Sequence, residues 1–151
     1  MTQPAPYEDD LPSIAAGSPL LRRIAPQFGI WSDSGEFVRA NSGSMQLYDK
    51  ERALLVGCPG PGLSVVAVDL VSSLDDLVRT HQDMGHGLAY VSEELLRGDD
   101  ERGIHYRPSP ADPAHAVVFP FDPAQMDLPR GTKRALAKFA SDHMLLAPQQ
   151  P

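Results

Sequence analysis

Three side chains that could bind a metal lie close together in the sequence: His81, Asp83 and His86. Imidazole and carboxylate groups hold the metal of many hydrolases, usually as three or four converging ligands. The two histidines are not separated by the four residues that would place them on the same face of a helix. A metal-dependent hydrolase is therefore only the third of three hypotheses for this chain, and we expect no metal site.

Other catalytic motifs have no clear counterpart in the sequence. The Gly-x-Ser-x-Gly motif of a nucleophilic serine is absent. Residues 58–62 are rich in glycine and proline but lack the spacing and the lysine of a phosphate-binding loop. Cys58 has no neighbouring base that would activate a thiol. We interpret residues 58–62 as a turn.

Positive charge collects near the carboxyl end of the chain. No acid comes before Asp142 in this segment, whose basic residues are Arg130, Lys133, Arg134 and Lys138. A charged outer face is usual for an amphipathic helix, and it would also be complementary to an acidic partner protein. Both interpretations stay open at this stage.

A buried strand near the middle of the chain organises the elements around it. Residues 63–68 read Leu-Ser-Val-Val-Ala-Val, the most apolar and most β-branched run in the sequence. A run without strict alternation predicts a strand that is covered on both faces. The prolines and glycines of residues 58–62 mark its start.

Extended structure is also predicted before this strand. Residues 20–24 lie between two prolines and predict a strand whose two arginines, Arg22 and Arg23, face opposite sides. Residues 28–31 and 36–39 predict two short strands about a tight turn that contains Gly35. For residues 44–56, a strand over 45–48 followed by a short helix from Asp49 is favoured over a single helix.

Helices and strands alternate in the second half of the chain. Ser73 is expected to cap a helix that ends near Gly85, and Pro129 is expected at the first position of a helix of about four turns whose apolar positions extend to Met144. Strands are predicted over residues 88–91, 104–107 and 116–119. The pattern predicts a small α+β domain with two or three helices, including an amphipathic C-terminal helix.

Length and composition favour one domain. The 151 residues suit a single core, which we place at residues 19–146, after a flexible lead-in over 1–18 and before a tail over 147–151. A net charge of −7 argues against binding nucleic acid through the overall field of the protein. We therefore expect no nucleic-acid partner.

The expected compartment follows from the cysteine content and from the apolar segments. The single cysteine, Cys58, fits a reducing compartment. No apolar run reaches the ~18 residues of a membrane span, and the first residues lack the pattern of a cleaved signal peptide. We expect a protein that is cytoplasmic at synthesis and has no membrane partner, with export by another route left open.

Four features follow one another over roughly residues 20–140: an early arginine, the segment Asn41-Ser42-Gly43-Ser44, an apolar strand and the late segment 115–120, His-Ala-Val-Val-Phe-Pro. This order resembles the small ADP-ribosyltransferase-like toxins of bacterial type VI secretion and their fungal relatives. The resemblance implies a split, mostly antiparallel β-sheet core with a cleft that binds NAD as a substrate.

The resemblance also implies roles for particular residues. Arg22 or Arg23 would contact an NAD phosphate, near Asn41, because a guanidinium can donate two parallel hydrogen bonds to such a group. Ser44 would support the nicotinamide ribose, and His115 would lie beside that ribose. The aromatic residue that precedes the early arginine in this family is replaced here by Leu21. The sequence therefore leaves open whether the protein is an enzyme.

Two main hypotheses remain at the level of the sequence. The first is a small ADP-ribosyltransferase-like antibacterial effector that binds NAD and has a cognate immunity or chaperone protein. The second is a non-catalytic, acidic protein-binding module, such as an immunity, chaperone or assembly protein. The resemblance makes the first the leading hypothesis, while the net charge of −7 and the absence of a compact catalytic motif support the second as the alternative.

Overall fold

The computed structural model describes residues 12–47, 62–108, 110, 112–122 and 127–151. These residues form eight β-strands and three α-helices. The strands are β1 (Leu20–Ile24), β2 (Gly29–Trp31), β3 (Phe37–Ala40), β4 (Leu63–Ala67), β5 (Gly87–Val91), β6 (Arg102–Tyr106), β7 (His115–Pro120) and β8 (Met144–Leu146). The helices are α1 (Leu74–Asp83), α2 (Glu93–Arg97) and α3 (Arg130–Asp142).

Six strands form one antiparallel sheet in the order β6-β7-β4-β1-β5-β8. The predicted central strand is confirmed as β4, which pairs with β1 on one side and β7 on the other. Its apolar side chains are buried, as expected for a strand covered on both faces. The α+β class and the mostly antiparallel sheet are therefore confirmed.

One face of the sheet, here called the α3 face, holds the larger part of the core. Leu20 and Ile24 of β1 pack there with Leu136, Ala137 and Ala140 of α3. These helix positions recur at helical spacing and form the buried side of an amphipathic helix. Burying Leu136 alone contributes roughly 1.5–3 kcal/mol.

The opposite face, here called the α1 face, carries a smaller apolar cluster. Leu21 and Val66 of the sheet pack against Leu74, Leu77 and Val78 of α1. Helix α1 begins where predicted, because the Ser73 side chain accepts a hydrogen bond from the Asp76 amide. Because side chains alternate along a strand, Leu20 and Leu21 of β1 lie on opposite faces of the sheet.

The strands β2 and β3 form a separate two-stranded sheet, which confirms the predicted hairpin. Gly35 in its turn has a φ of 84°, a conformation that glycine adopts without steric cost. The hairpin is fixed to α3 by the Ala40 amide, which donates to Ser141 Oγ at 3.0 Å. The hairpin therefore lies beside α3, and its strands are not paired with those of the six-stranded sheet.

Some predicted boundaries are wrong. Met45 belongs to a 3-10 turn, Ser42–Met45, so the predicted strand over 45–48 does not begin there; the helix predicted from Asp49 lies outside the described residues. Helix α3 ends at Asp142, and Met144 starts β8. The His143 ring stacks on Phe139 and its Nδ1 lies 2.7 Å from the Phe139 carbonyl oxygen, which accompanies the end of the helix.

The segment that precedes the predicted domain contacts both the sheet and helix α2. The Ile14 amide donates to the Ile104 carbonyl of β6 at 2.8 Å, and Glu93 accepts hydrogen bonds from the Gly17 amide. Within the described ranges, the helices fall short of the length and apolar character that crossing a membrane requires. The domain boundaries themselves stay a prediction.

Candidate functional site

Arg22 lies on the α3 face and its guanidinium is bound to backbone carbonyls. Its Nε and Nη2 donate to the Ser44 carbonyl oxygen at 3.1 and 2.8 Å, and its Nη1 donates to the Ser64 carbonyl oxygen at 2.8 Å. The ladder between β1 and β4 covers Leu20 and Leu21. Beyond that ladder, the guanidinium links the start of β4 to the turn that contains Ser44.

Asn41 and Ser44 form the two ends of that turn. Asn41 Oδ1 accepts a hydrogen bond from the Gly43 amide at 2.8 Å, and the Ser44 hydroxyl donates to the Asn41 carbonyl at 2.8 Å. Ser44 is buried, whereas Asn41 is partly exposed. The structure thus brings together Arg22, Asn41 and Ser44 from the predicted NAD site, with Ser44 facing the turn.

Arg23 lies on the α1 face, on the opposite side of the sheet from Arg22, as the sequence predicts. Burial, followed by the charges of Arg23 and His81, lowers the pKa of His86 below its ordinary value of 6.5. The Nδ1 atom of His86 is buried and has no hydrogen-bond partner among the described residues. Arg23 therefore lies near a histidine whose protonated form is disfavoured.

His115 also belongs to the α1 face. It pairs with Val66 of β4, and its neighbour Ala116 belongs to the core of the α3 face. Its Nδ1 lies 2.8 Å from the Arg107 carbonyl oxygen and must carry the proton, since a carbonyl only accepts. The structure therefore separates His115 and Arg23 from Arg22, Asn41 and Ser44 by the thickness of the sheet.

The histidines and acids do not form a metal site in the described part of the chain. No group of three or more histidine, cysteine, aspartate or glutamate residues could hold a metal ion there. The Nδ1 atom of His81 lies 2.9 Å from the Leu77 carbonyl oxygen, one turn back along α1. His81 is thus engaged with its own helix.

A cleft of about 630 Å³ opens between the β2–β3 hairpin and α3. Ala40, Ala137 and Ser141 lie where the two walls meet, and the Ser141 hydroxyl bridges them by accepting from the Ala40 amide and donating to the Ala137 carbonyl. Small side chains at these positions let the backbones approach closely. The volume lies within the roughly 300–1,000 Å³ that ligand pockets usually have.

The cleft is basic although the protein is acidic. Arg39 of β3 and two α3 residues, Arg134 and Lys138, line it together with one acid, Asp142. Arg134 and Lys138 are four residues apart and therefore share a helix face. Lys138 pairs with Asp142 at 2.8 Å, whereas Arg39 and Arg134 form no ion pair within the described ranges. The arrangement is suited to bind an anionic group.

The sequence predicts one wall of this cleft and misses the other. Arg134 and Lys138 belong to the predicted basic face of the last helix, whereas Lys133 donates to Gln46 Oε1 at 3.4 Å. Asn41, predicted to contact NAD, also lines the cleft. Arg39 and its neighbours on the hairpin could not be found from the sequence, because no pattern indicates that the hairpin packs beside α3.

Comparisons with known proteins give no relative of the chain. No match was found among protein-family models, curated protein sequences or solved structures. The resemblance to ADP-ribosyltransferase-like toxins, which the order of residues suggests, therefore stays a prediction.

Proposed function

We propose that this protein is a non-catalytic binding module that recognises an acidic segment of a partner protein in the cleft between the β2–β3 hairpin and α3. The observation that carries the proposal is the gathering of Arg39, Arg134 and Lys138 around one cleft of a chain whose net charge is −7. Immunity, chaperone and assembly proteins are modules of this general kind.

Physical chemistry supports an anionic partner. Arg39 and Arg134 are exposed and form no internal ion pair within the described ranges, so a carboxylate can reach them without first displacing an acid. Guanidinium groups bind carboxylates through two parallel hydrogen bonds. Complementary charge also speeds the encounter between partners and guides their orientation.

A catalytic function has weaker support. Three residues of the predicted NAD site are engaged within a turn or with carbonyls, and Arg23 and His115 lie on the other face of the sheet. Groups that act together in catalysis must lie within reach of the same substrate atoms. NAD binding is nevertheless a second candidate, because Asn41 lines the cleft beside three cations that could contact a diphosphate.

A binding titration tests the proposed function. We expect fluorescein-labelled hexaglutamate to bind the full chain saturably at low ionic strength, and raising the salt to weaken that binding because exposed charges are screened. The Arg134→Gln variant should lose about fivefold in affinity, equivalent to roughly 1 kcal/mol for one exposed ion pair.

The matched control is Arg130→Gln, which removes the same charge from an exposed position of α3 outside the cleft lining. Its affinity should stay close to that of the unchanged protein. Equal losses for the two variants would show that only the general charge of the helix matters, and saturable binding of NAD but not of hexaglutamate would favour the second candidate.

A further inference from the structure

The hairpin wall of the cleft contains a β-bulge. The pairing runs from Gly29↔Ala40 through Ile30↔Arg39 to Trp31↔Phe37, and so leaves Val38 without a partner residue of its own. In a regular strand, Val38 and Arg39 would point to opposite faces. The bulge redirects the chain, and both residues line the cleft.

This bulge places an apolar surface between the charges. Val38 and Ile30 line the hairpin wall, and Ala137 lies at the junction with α3. Val38 is 53% exposed, a large fraction for a valine. A partner that covers an aliphatic side chain at this position gains binding free energy of roughly 25 cal/mol for each Å² of apolar surface removed from water.

The cleft therefore combines two kinds of contact. Arg39 on one wall and Arg134 on the other can bind anionic groups, while Val38 and Ile30 can bind an apolar group. An inorganic polyphosphate carries no apolar group for the hairpin wall. Asp142, a carboxylate in the same cleft, repels densely charged polyanions more than a ligand with spaced carboxylates.

We infer that the partner segment is acidic and apolar at once, with an aliphatic side chain that packs on Val38 between carboxylates that contact Arg39 and Arg134. This inference rests on the proposed function, since it specifies the ligand of the same cleft. Val38 is then a residue that determines specificity, and the bulge is the backbone feature that presents it.

Two peptides of equal length test the inference. One is hexaglutamate, and in the other the two central glutamates are replaced by leucines. The leucine peptide carries less charge, so electrostatics alone would make it bind more weakly. We expect it to bind about fivefold more tightly instead, because burying part of a leucine side chain outweighs the lost charge.

The substitution Val38→Thr keeps the β-branched shape and replaces one methyl group with a hydroxyl. It should reduce the advantage of the leucine peptide over hexaglutamate by about threefold. Leu145→Thr, at an exposed apolar position of β8 outside the cleft lining, is the control and should change neither affinity. Circular dichroism spectra of both variants establish that they are folded.

The outcomes separate the two proposals. If hexaglutamate binds as tightly as the leucine peptide or more tightly, the cleft binds acidic ligands without an apolar contact, and this inference is wrong while the proposed function stands. If Val38→Thr leaves the leucine advantage intact, the apolar contact lies elsewhere. If neither peptide binds, both proposals are wrong.

Discussion

At the scale of single residues, the Asp142 carboxylate opposes the three cations that line the cleft. The hydrogen bond and the charge of Lys138 lower the pKa of Asp142 below its ordinary value of 3.8, with a smaller contribution from His143. Both side chains of the pair are exposed, so the pair contributes little to the free energy of unfolding. Its main consequence concerns binding, since Asp142 competes with an anionic ligand for Lys138.

Replacing Asp142 should therefore improve binding. We predict that Asp142→Asn raises the affinity for hexaglutamate by about threefold to fivefold, because Lys138 becomes available and a repulsive charge is lost. The measurement is the same anisotropy titration at low ionic strength. Asp76→Asn, which removes a carboxylate paired with Arg79 on α1, is the matched control, and an equal gain there would mean that only the net charge changed.

The His86 imidazole is the second residue whose chemistry is altered by its surroundings. Its pKa is lowered in the fold, so the unfolded chain binds a proton at a higher pH than the folded chain does. The free energy of unfolding should consequently decrease as the pH falls below about 6.5, until His86 is protonated in the folded state too. The effect adds to that of other titrating groups.

The substitution Arg23→Gln tests the origin of this shift. Removing the arginine charge should raise the pKa of His86 toward its ordinary value and reduce the loss of stability on acidification. An NMR titration of the His86 ring protons measures the pKa, and Arg79→Gln, on the exposed side of α1, should leave it unchanged. An identical pKa in the Arg23→Gln protein would mean that burial and the charge of His81 cause the shift without Arg23.

At the scale of elements, Arg22 connects segments that the backbone pairing between β1 and β4 does not join. Its guanidinium joins the backbone of β1 to the Ser44 turn and to Ser64 of β4. The Ser44 turn follows the hairpin in the chain, and the hairpin forms one wall of the cleft. Arg22 therefore supports the cleft through the backbone, even though its side chain is not part of the lining.

Adjacent arginines of β1 should then differ in their effect on stability. We predict that Arg22→Gln lowers the free energy of unfolding by roughly 1.5–3 kcal/mol, the range for hydrogen bonds that involve a charged group. Arg23→Gln, on the other face and exposed, should change it by less than about 0.5 kcal/mol at neutral pH. Urea denaturation measures both, and equal losses would contradict a structural role that is specific to Arg22.

The elements that the sequence predicts well are those with a strong local signal. The β-branched run of β4, the Ser73 cap of α1 and the glycine turn of the hairpin each depend on neighbouring residues. The sequence misses β8, because Met144 continues the helical spacing of α3 and only pairing with β5 makes the segment extended. It also misses α2, which has five residues and little periodicity.

At the scale of the whole molecule, the sheet decides which predicted site residues meet. Strand alternation and register place His115 and Arg23 on the α1 face and Arg22 on the α3 face. Linear order in the sequence contains no information about these registers. The basic face of α3 was predictable from its helical spacing, but its position opposite Arg39 depends on the packing of the hairpin.

The charge of the cleft is opposite in sign to the net charge of the molecule. The chain has 20 acidic and 13 basic residues, yet three cations and one acid line the cleft. A basic site within an acidic protein attracts an anionic partner locally, while the overall charge repels it at longer range. Partner selection is thus expected to depend on contacts inside the cleft and on ionic strength.

Mapping the bound peptide on the protein tests the central proposal most directly. We would titrate the leucine-containing acidic peptide into isotopically labelled full-length protein and follow the backbone amide signals. The prediction is that the largest shifts occur on both walls of the cleft, over residues 38–42 and 134–142, and that the region of Arg23 and His86 is unaffected. Shifts centred on the α1 face, or none at peptide concentrations well above those of the protein, would contradict a binding site between the hairpin and α3.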